Sequence, residues 1–348
     1  NRIPYLTENG HYEDMTEKNI LWWTNGFWGG ILWQMYHLTG EEVYKKEAEI
    51  LEEKLDKNLM DPFGMDHDSG FKWLLTAIAN FKITGSDMSM RRGLLAAENM
   101  AGRFNLAGSY IRAWNDPCDG KAAGTAIIDC MMNLPLLYWA SQHSKDPRFQ
   151  QVAVAHAQTV IQKFVRPDYS VIHIGRFDPA TGEFLGSEGG QGMEVGSSWT
   201  RGQAWAVYGF PLSYRHTKFT QYLDMAEKIA QRFIERIPEN YHIPVDFDQA
   251  ADCPWEDSSA TGIAACGFLE LADLVESEEK KEYYTRVAEK LLRTLYEELS
   301  NWDDGVDYII ENCSAAYHDK DHNFPMVYGD YYFIEGILRL AKKDIFLW

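Results

Sequence analysis

Residues 259–299 read SATGIAACGFLELADLVESEEKKEYYTRVAEKLLRTLYEEL. Two different helices are written in that stretch. From Ile263 to Val275 the chain is apolar nearly all round, a composition that suits a helix buried on most sides. From Tyr283 to Leu299 the apolar residues Tyr284, Val287, Ala288, Leu291, Leu295 and Leu299 recur at the helical period, with Glu and Lys between them. That is the pattern of a helix with one wet face. A small, polar start, Ser259-Ala260-Thr261-Gly262, opens the first run, and a short charged turn joins it to the second. The stretch predicts a helical hairpin with an inner and an outer member.

The same unit recurs along the chain. Other starts lie near Asn25-Gly26, Asp68-Ser69-Gly70, Ala123-Gly124, Thr200-Arg201-Gly202 and Tyr328-Gly329-Asp330, spaced roughly 45 to 80 residues apart, as one hairpin per repeat requires. Apolar runs follow at Phe27 to Leu38, Phe71 to Ile83, Ile127 to Ala140, Trp205 to Tyr214 and Tyr331 to Leu340. Amphipathic runs are Val43 to Leu59, Met90 to Phe104, Phe149 to Phe164 and Tyr222 to Ile237. Gly40 and Gly85 stand just past helical runs, where a left-handed C-cap is wanted. Asp146-Pro147 offers an N-cap followed by proline at the first helical position. Period-2 alternation is scarce, and Ser170 to Phe177 is the best candidate for a strand. Six inner and five outer helices predict an all-α fold, a closed (α/α)6 barrel forming one domain over residues 1–348. The sixth outer helix is expected to precede Asn1, because residues 1–20 carry little helical period.

The balance of 33 Lys and Arg against 52 Asp and Glu leaves a net charge of −19. Such a field repels nucleic acid and anionic membranes, so neither is expected as a partner. An anionic small molecule would need local cations to bind. Five cysteines, Cys118, Cys130, Cys253, Cys266 and Cys313, form no C-x-x-C, and an odd number fits a reduced, cytoplasmic setting. No apolar run reaches the length of a membrane span. No His, Cys and Asp spacing suggests a metal site. The 12 Trp, 19 Tyr and 17 Phe can fill a large core, and their flat faces also suit sugar rings.

If the inner helices run parallel, their polar starts converge on one mouth. Asn25, Asp68, Asp129, Arg201, Asp257, Ser258, Ser259 and Asp330 are expected there; each alone would also serve as an ordinary helix cap. Asp129 lies in an apolar run, Ile127-Ile128-Asp129-Cys130, where a carboxylate is expensive without a purpose or partner. Facing Asp68 across a cleft, the pair would resist double ionisation and one member would keep its proton, which supplies a general acid. The segment Trp199-Thr200-Arg201-Gly202-Gln203-Ala204-Trp205 adds two rings and a guanidinium able to clasp a carboxylate. Trp114, His173 and Gln191 lie in the preceding loops. Aromatic platforms, one Arg and a protonated Asp describe a site for an acidic sugar.

Taken in order, Asn25-Gly26-Phe27-Trp28-Gly29-Gly30, His67-Asp68-Ser69-Gly70-Phe71, Ile127-Ile128-Asp129-Cys130, Trp199 to Trp205, Asp257-Ser258-Ser259-Ala260 and Gly329-Asp330-Tyr331-Tyr332 resemble the unsaturated glucuronyl hydrolases of glycoside hydrolase family 88. The resemblance spans about Trp23 to Leu340. It implies the (α/α)6 barrel with no metal or organic cofactor. It also implies removal of a terminal Δ4,5-unsaturated uronic acid from lyase-generated oligosaccharides by hydration of the double bond. It puts the general acid/base on Asp129 and the second essential carboxylate on Asp68. Sugar-contacting positions fall on Trp23, Trp114, His173, Gln191, Trp199, Arg201 and Trp205. An unsaturated uronic-acid oligosaccharide is thus the expected partner, with the protein a monomer or homodimer. Rival readings on the same barrel are an unsaturated rhamnogalacturonyl hydrolase, a conventional inverting glycosidase and a silent sugar-binding toroid.

Overall fold

The computed structural model describes residues 2–115 and 120–348, so Cys118 lies outside the described residues. The inner helices are Phe27–Thr39, a second that begins as Ser69–Trp73, then Cys130–Ser144, Thr200–Thr217, Ser258–Leu274 and Val327–Leu340. The second continues through a π-helical turn, Leu74–Ile78, into Ala79–Thr84. Each packs on the next and the sixth packs on the first, so the ring closes. Outer helices Glu42–Lys54, Asp87–Gly102, Pro147–Lys163, Thr220–Ile234 and Glu278–Glu298 back the first five. The architecture is the (α/α)6 barrel.

The division between inner and outer follows the sequence physics. Every residue from Ser258 to Ala272 of the fifth inner helix is buried, whereas Glu278–Glu298 buries only one face, through Tyr284, Val287, Ala288, Leu291, Leu292, Thr294 and Leu295. Gly40 and Gly85 take the left-handed conformation at φ 71° and 77° and end their helices as expected. Asp146 caps the helix behind it by accepting from the Arg148 N–H at 2.9 Å. Close approach at the mouth depends on glycine. A Cβ on Gly26 would lie 2.1 Å from the Phe71 carbonyl, and one on Gly70 would lie 2.6 Å from Asn133 Cα. The first three inner helices therefore converge tightly where they begin.

One local expectation changes. The third inner helix starts at Cys130, not Ile127, because Thr125–Ile127 is a strand. It pairs antiparallel with Ile174–Phe177, which pairs with Phe184–Glu188. β-Branched Thr125 and Ile127 suit an extended backbone, and the sheet pairs Ile127 with Ile174. The second half of the alternation seen at Ser170 to Phe177, Ile174–Phe177, is the central strand of that sheet. The pairing delivers His173 to Asp129, since the Ile128 N–H donates to the His173 carbonyl at 3.1 Å. The start of the chain folds as a hairpin, Thr7–Glu8 with His11–Tyr12, held to the sixth inner helix by the Tyr12 hydroxyl on Asp330 at 2.7 Å.

At the far end of the ring, residues 345–348 fold inward. Gln34 exchanges two hydrogen bonds with the backbone of Ile345, at 2.9 and 3.1 Å. Trp348 stacks parallel to Tyr332 and donates its indole N–H to Glu335 at 2.8 Å. No helix among the described residues is long and apolar enough to cross a membrane.

Candidate active site

The mouth formed by the inner-helix starts holds a cavity of about 590 Å³. Its walls include Trp23, Asp68, Trp114, Asp129, His173, Gln191 and Arg201, together with Tyr5, Trp22, Asp66, His67, Asp319 and Tyr328. Seven of the nine residues expected at a site thus share one cavity. Trp199 and Trp205 do not line it. Trp205 is 0% exposed, wedged between Phe71 and Tyr332, and Trp199 is 2% exposed. Their indoles are too deep to meet a sugar. Trp199 instead supports the wall from behind: its ring lies 4.2 Å from that of His173 and 4.6 Å from the Arg201 guanidinium.

Asp129 occupies the N-cap position of the third inner helix but makes no capping bond with its side chain, and its Oδ1 has no hydrogen-bond partner. An oxygen held dry and unpaired disfavours the charged form. Burial first, and the charge of Asp68 second, push its pKa up to about 7, against opposing pulls from His67 and Arg201. Asp68 is set the other way. Burial would raise it, yet His67 Nε2 at 3.3 Å and the Asn133 amide at 3.1 Å outweigh that, and its pKa falls below the usual carboxylate range. Reciprocally, His67 resists burial's tendency to discharge it, and Asp68 lifts its pKa well above the ordinary value. Two neighbouring carboxyls driven apart in proton affinity form an acid and its anionic neighbour.

His173 approaches Asp129 from the sheet, with Nε2 3.9 Å from Oδ1. Burial lowers its pKa to about 3, so the ring is neutral. Its Nδ1 accepts the Gln191 backbone N–H at 3.0 Å, which places the ring proton on Nε2, facing Asp129. Gln191 in turn donates its side-chain amide to the Ala315 carbonyl at 2.7 Å. Trp114, 37% exposed, stands at the rim. Trp23 lies 5.6 Å from Phe71 and 5.0 Å from Tyr328 between ring centroids.

Arg201 departs from its expected role. Its guanidinium is bound to Asp257 and to the carbonyls of Ser314 and Ala315, so the carboxylate it clasps is the chain's own. It brings positive charge to the cavity without a free two-pronged grip. The remaining helix-start residues are also corrected. Asp257 caps Ser259 and pairs with Arg201. Asp330 accepts from Tyr12 and from the Ile309 and Ile310 N–H groups, and Asn25 donates to the Asn19 carbonyl. Ser258 and Ser259 are buried in the helix start. Asp257, Ser259 and Asp330 are thus taken up by contacts within the protein, whereas the Ser258 hydroxyl has no hydrogen-bond partner. Asn133 and the charged state of His67 were not anticipated. Asn133 follows Asp129 by one helical turn, a spacing that puts both on one face. Among the described residues no group of three or more His, Cys, Asp or Glu is placed to hold a metal ion.

The chain is 35% identical to an unsaturated glucuronyl hydrolase of Bacillus sp. strain GL1, covering 100% of this chain and 93% of that protein. It is 32% identical to an unsaturated chondroitin disaccharide hydrolase of Streptococcus pneumoniae, covering 94% and 83%. The crystal structure of the Bacillus sp. GL1 enzyme superposes with a TM-score of 0.92 at 33% identity, covering 98% of this chain and 91% of that one. An unsaturated glucuronyl hydrolase structure from Streptococcus agalactiae gives 0.91 at 31%, covering 99% and 87%. The sequence model of Glycosyl Hydrolase Family 88 matches residues 1–344. With fold and sequence in agreement over nearly its whole length, the chain belongs to glycoside hydrolase family 88.

Proposed function

We propose that this glycosidase removes a terminal Δ4,5-unsaturated uronic acid from short oligosaccharides, with Asp129 as general acid and then base. The observation that carries the reading is the largely buried Asp129 carboxyl, whose Oδ1 has no hydrogen-bond partner and whose pKa burial and the charge of Asp68 push up to about 7. The substrate is a vinyl ether, so its reactive carbon is C4. Asp129 gives its proton to C4, and positive character develops at C5 and the ring oxygen. The Asp129 carboxylate then takes a proton from water as that water adds to C5. The resulting hemiketal opens and expels the remaining sugar. One carboxyl serves both steps, so the separation rule for paired glycosidase carboxylates does not govern this site.

Asp68 keeps negative charge near the developing cation and holds the proton on Asp129. Arg201 and His67 supply the positive field that an acidic sugar needs inside a protein of net charge −19. Trp23 and Trp114 offer faces for sugar rings, while His173 and Gln191 position polar atoms along the wall. Incubation with a lyase-generated unsaturated disaccharide in deuterated water tests the reading. The ultraviolet band of the conjugated double bond disappears and the product carries deuterium at C4. Cleavage with the band intact would point to ordinary glycosidic hydrolysis instead.

A further inference from the structure

Asn133 lies on the third inner helix, is 0% exposed and does not line the cavity. Its side chain nevertheless ties both carboxylate-bearing helices together. Its Nδ2 donates to Asp68 Oδ1 at 3.1 Å and to the Asp129 carbonyl at 3.2 Å, while its Oδ1 accepts the Phe71 N–H at 2.8 Å. The last contact explains a local anomaly. Asp68 sits at an N-cap, where an Asp ordinarily accepts from the second or third N–H of its own helix, yet its side chain makes no such bond. Asn133 takes over that capping duty from a neighbouring helix. The Asp68 carboxylate is thereby released from its own helix end and turned to the cavity. Gly70 makes room for this, since a Cβ there would lie 2.7 Å from Asn133 Oδ1.

We propose that Asn133 is a positioning residue, which frees Asp68 from capping its own helix and holds its carboxylate toward the cavity it shares with Asp129. This rests on the acid role of Asp129 proposed above. The groups facing Asp68 are His67, Asp66 and Lys72 from its own segment, Asp129 and Cys130 from the third inner helix, and Arg103 from the end of the second outer helix. Among them the Asn133 amide is a neutral donor, so it favours the charged form of Asp68 without itself titrating.

Two variants test it. Asn133→Leu removes the donor and the acceptor at similar volume. Asn133→Asp keeps an acceptor for the Phe71 N–H and replaces the donor with a third carboxyl. For Asn133→Leu the acid limb of the kcat/KM profile moves up by about one pH unit, since a hydrogen bond to a charged group is worth about that much. Its kcat drops about tenfold with KM within about threefold. For Asn133→Asp both limbs move up, because added negative charge makes its neighbours hold protons more tightly, while Tm stays within a few degrees of the parent. Carboxyl-carbon NMR titration of Asp68 reads the same rise without turnover. Should both variants keep the parent pH limbs and the parent Asp68 titration, whatever their Tm, Asn133 is only a helix cap and the inference fails. That outcome leaves Asp129 untouched, whereas a fully active Asp129→Asn would end the acid assignment on which the inference rests.

Discussion

At the scale of single residues, the site is organised by where protons are kept. Asp129 Oδ1 has no hydrogen-bond partner while Asp68 is held by two donors, though the two share one cavity. Asp129→Asn is expected to cut turnover by at least about 10³-fold with substrate binding retained, measurable by loss of the ultraviolet band and by calorimetry. The same substitution has a stability signature whose sign follows from linkage. The folded protein holds this proton up to about pH 7, whereas the unfolded chain releases it near the ordinary value of 3.8. The parent is therefore destabilised progressively as pH rises from about 4 to about 7. Asp129→Asn should be more stable above pH 7, by on the order of 2–4 kcal/mol, with the advantage gone below about pH 4. Denaturant melts at pH 4 and pH 8 show this directly, and equal stability at both would exclude it. The meeting of Asp68 and Asp129 in one cavity was legible in the sequence from their places at the starts of two inner helices. Trp199 and Trp205 stand behind the wall, which a tryptophan in a motif does not reveal. The partner of Arg201 was hidden too, because Asp257 and the Ser314 and Ala315 carbonyls are distant in sequence.

At the scale of elements, the mouth depends on the close meeting of helix starts. Alanine for glycine inside a helix is ordinarily favourable, by about 1 kcal/mol. At Gly70 the sign should reverse, because the new Cβ would stand 2.6 Å from Asn133 Cα and 2.9 Å from its carbonyl. We expect Gly70→Ala to lose about 2 kcal/mol or more in urea melts and to reduce kcat more than it raises KM. A variant as stable as the parent would show that the helices can part without cost. The hairpins themselves were readable from periodicity and from Gly40 and Gly85. The Thr125–Ile127 strand was not, because a short apolar run fits a buried strand and a helix start equally well. Only pairing with Ile174–Phe177, nearly 50 residues away, selects between them.

For the whole molecule, closure of the ring was implied by the repeat, but the seal at its far end was not. Residues 341–348 have no helical period to betray their place. Trp348 is nonetheless 2% exposed, with Tyr208, Tyr331, Tyr332 and Phe71 around it. Truncating a buried indole of this kind costs about 3–5 kcal/mol. Trp348→Ala should lower stability by that amount, while kcat/KM of the folded protein stays within about threefold, because the ring does not line the cavity. Calorimetric unfolding and initial rates measured on one preparation check both halves. An unchanged melting temperature would mean that the far end is closed by other groups.

The central claim is that Asp129 carries a proton at neutral pH in the substrate-free protein. Carbon-13 labelling of aspartate, with the Asp129 carboxyl assigned through its loss in Asp129→Asn, measures that proton's release directly. The midpoint should fall near pH 7; one below about pH 5, within the ordinary carboxylate range, would mean that Asp129 is ionised at neutral pH and cannot be the acid.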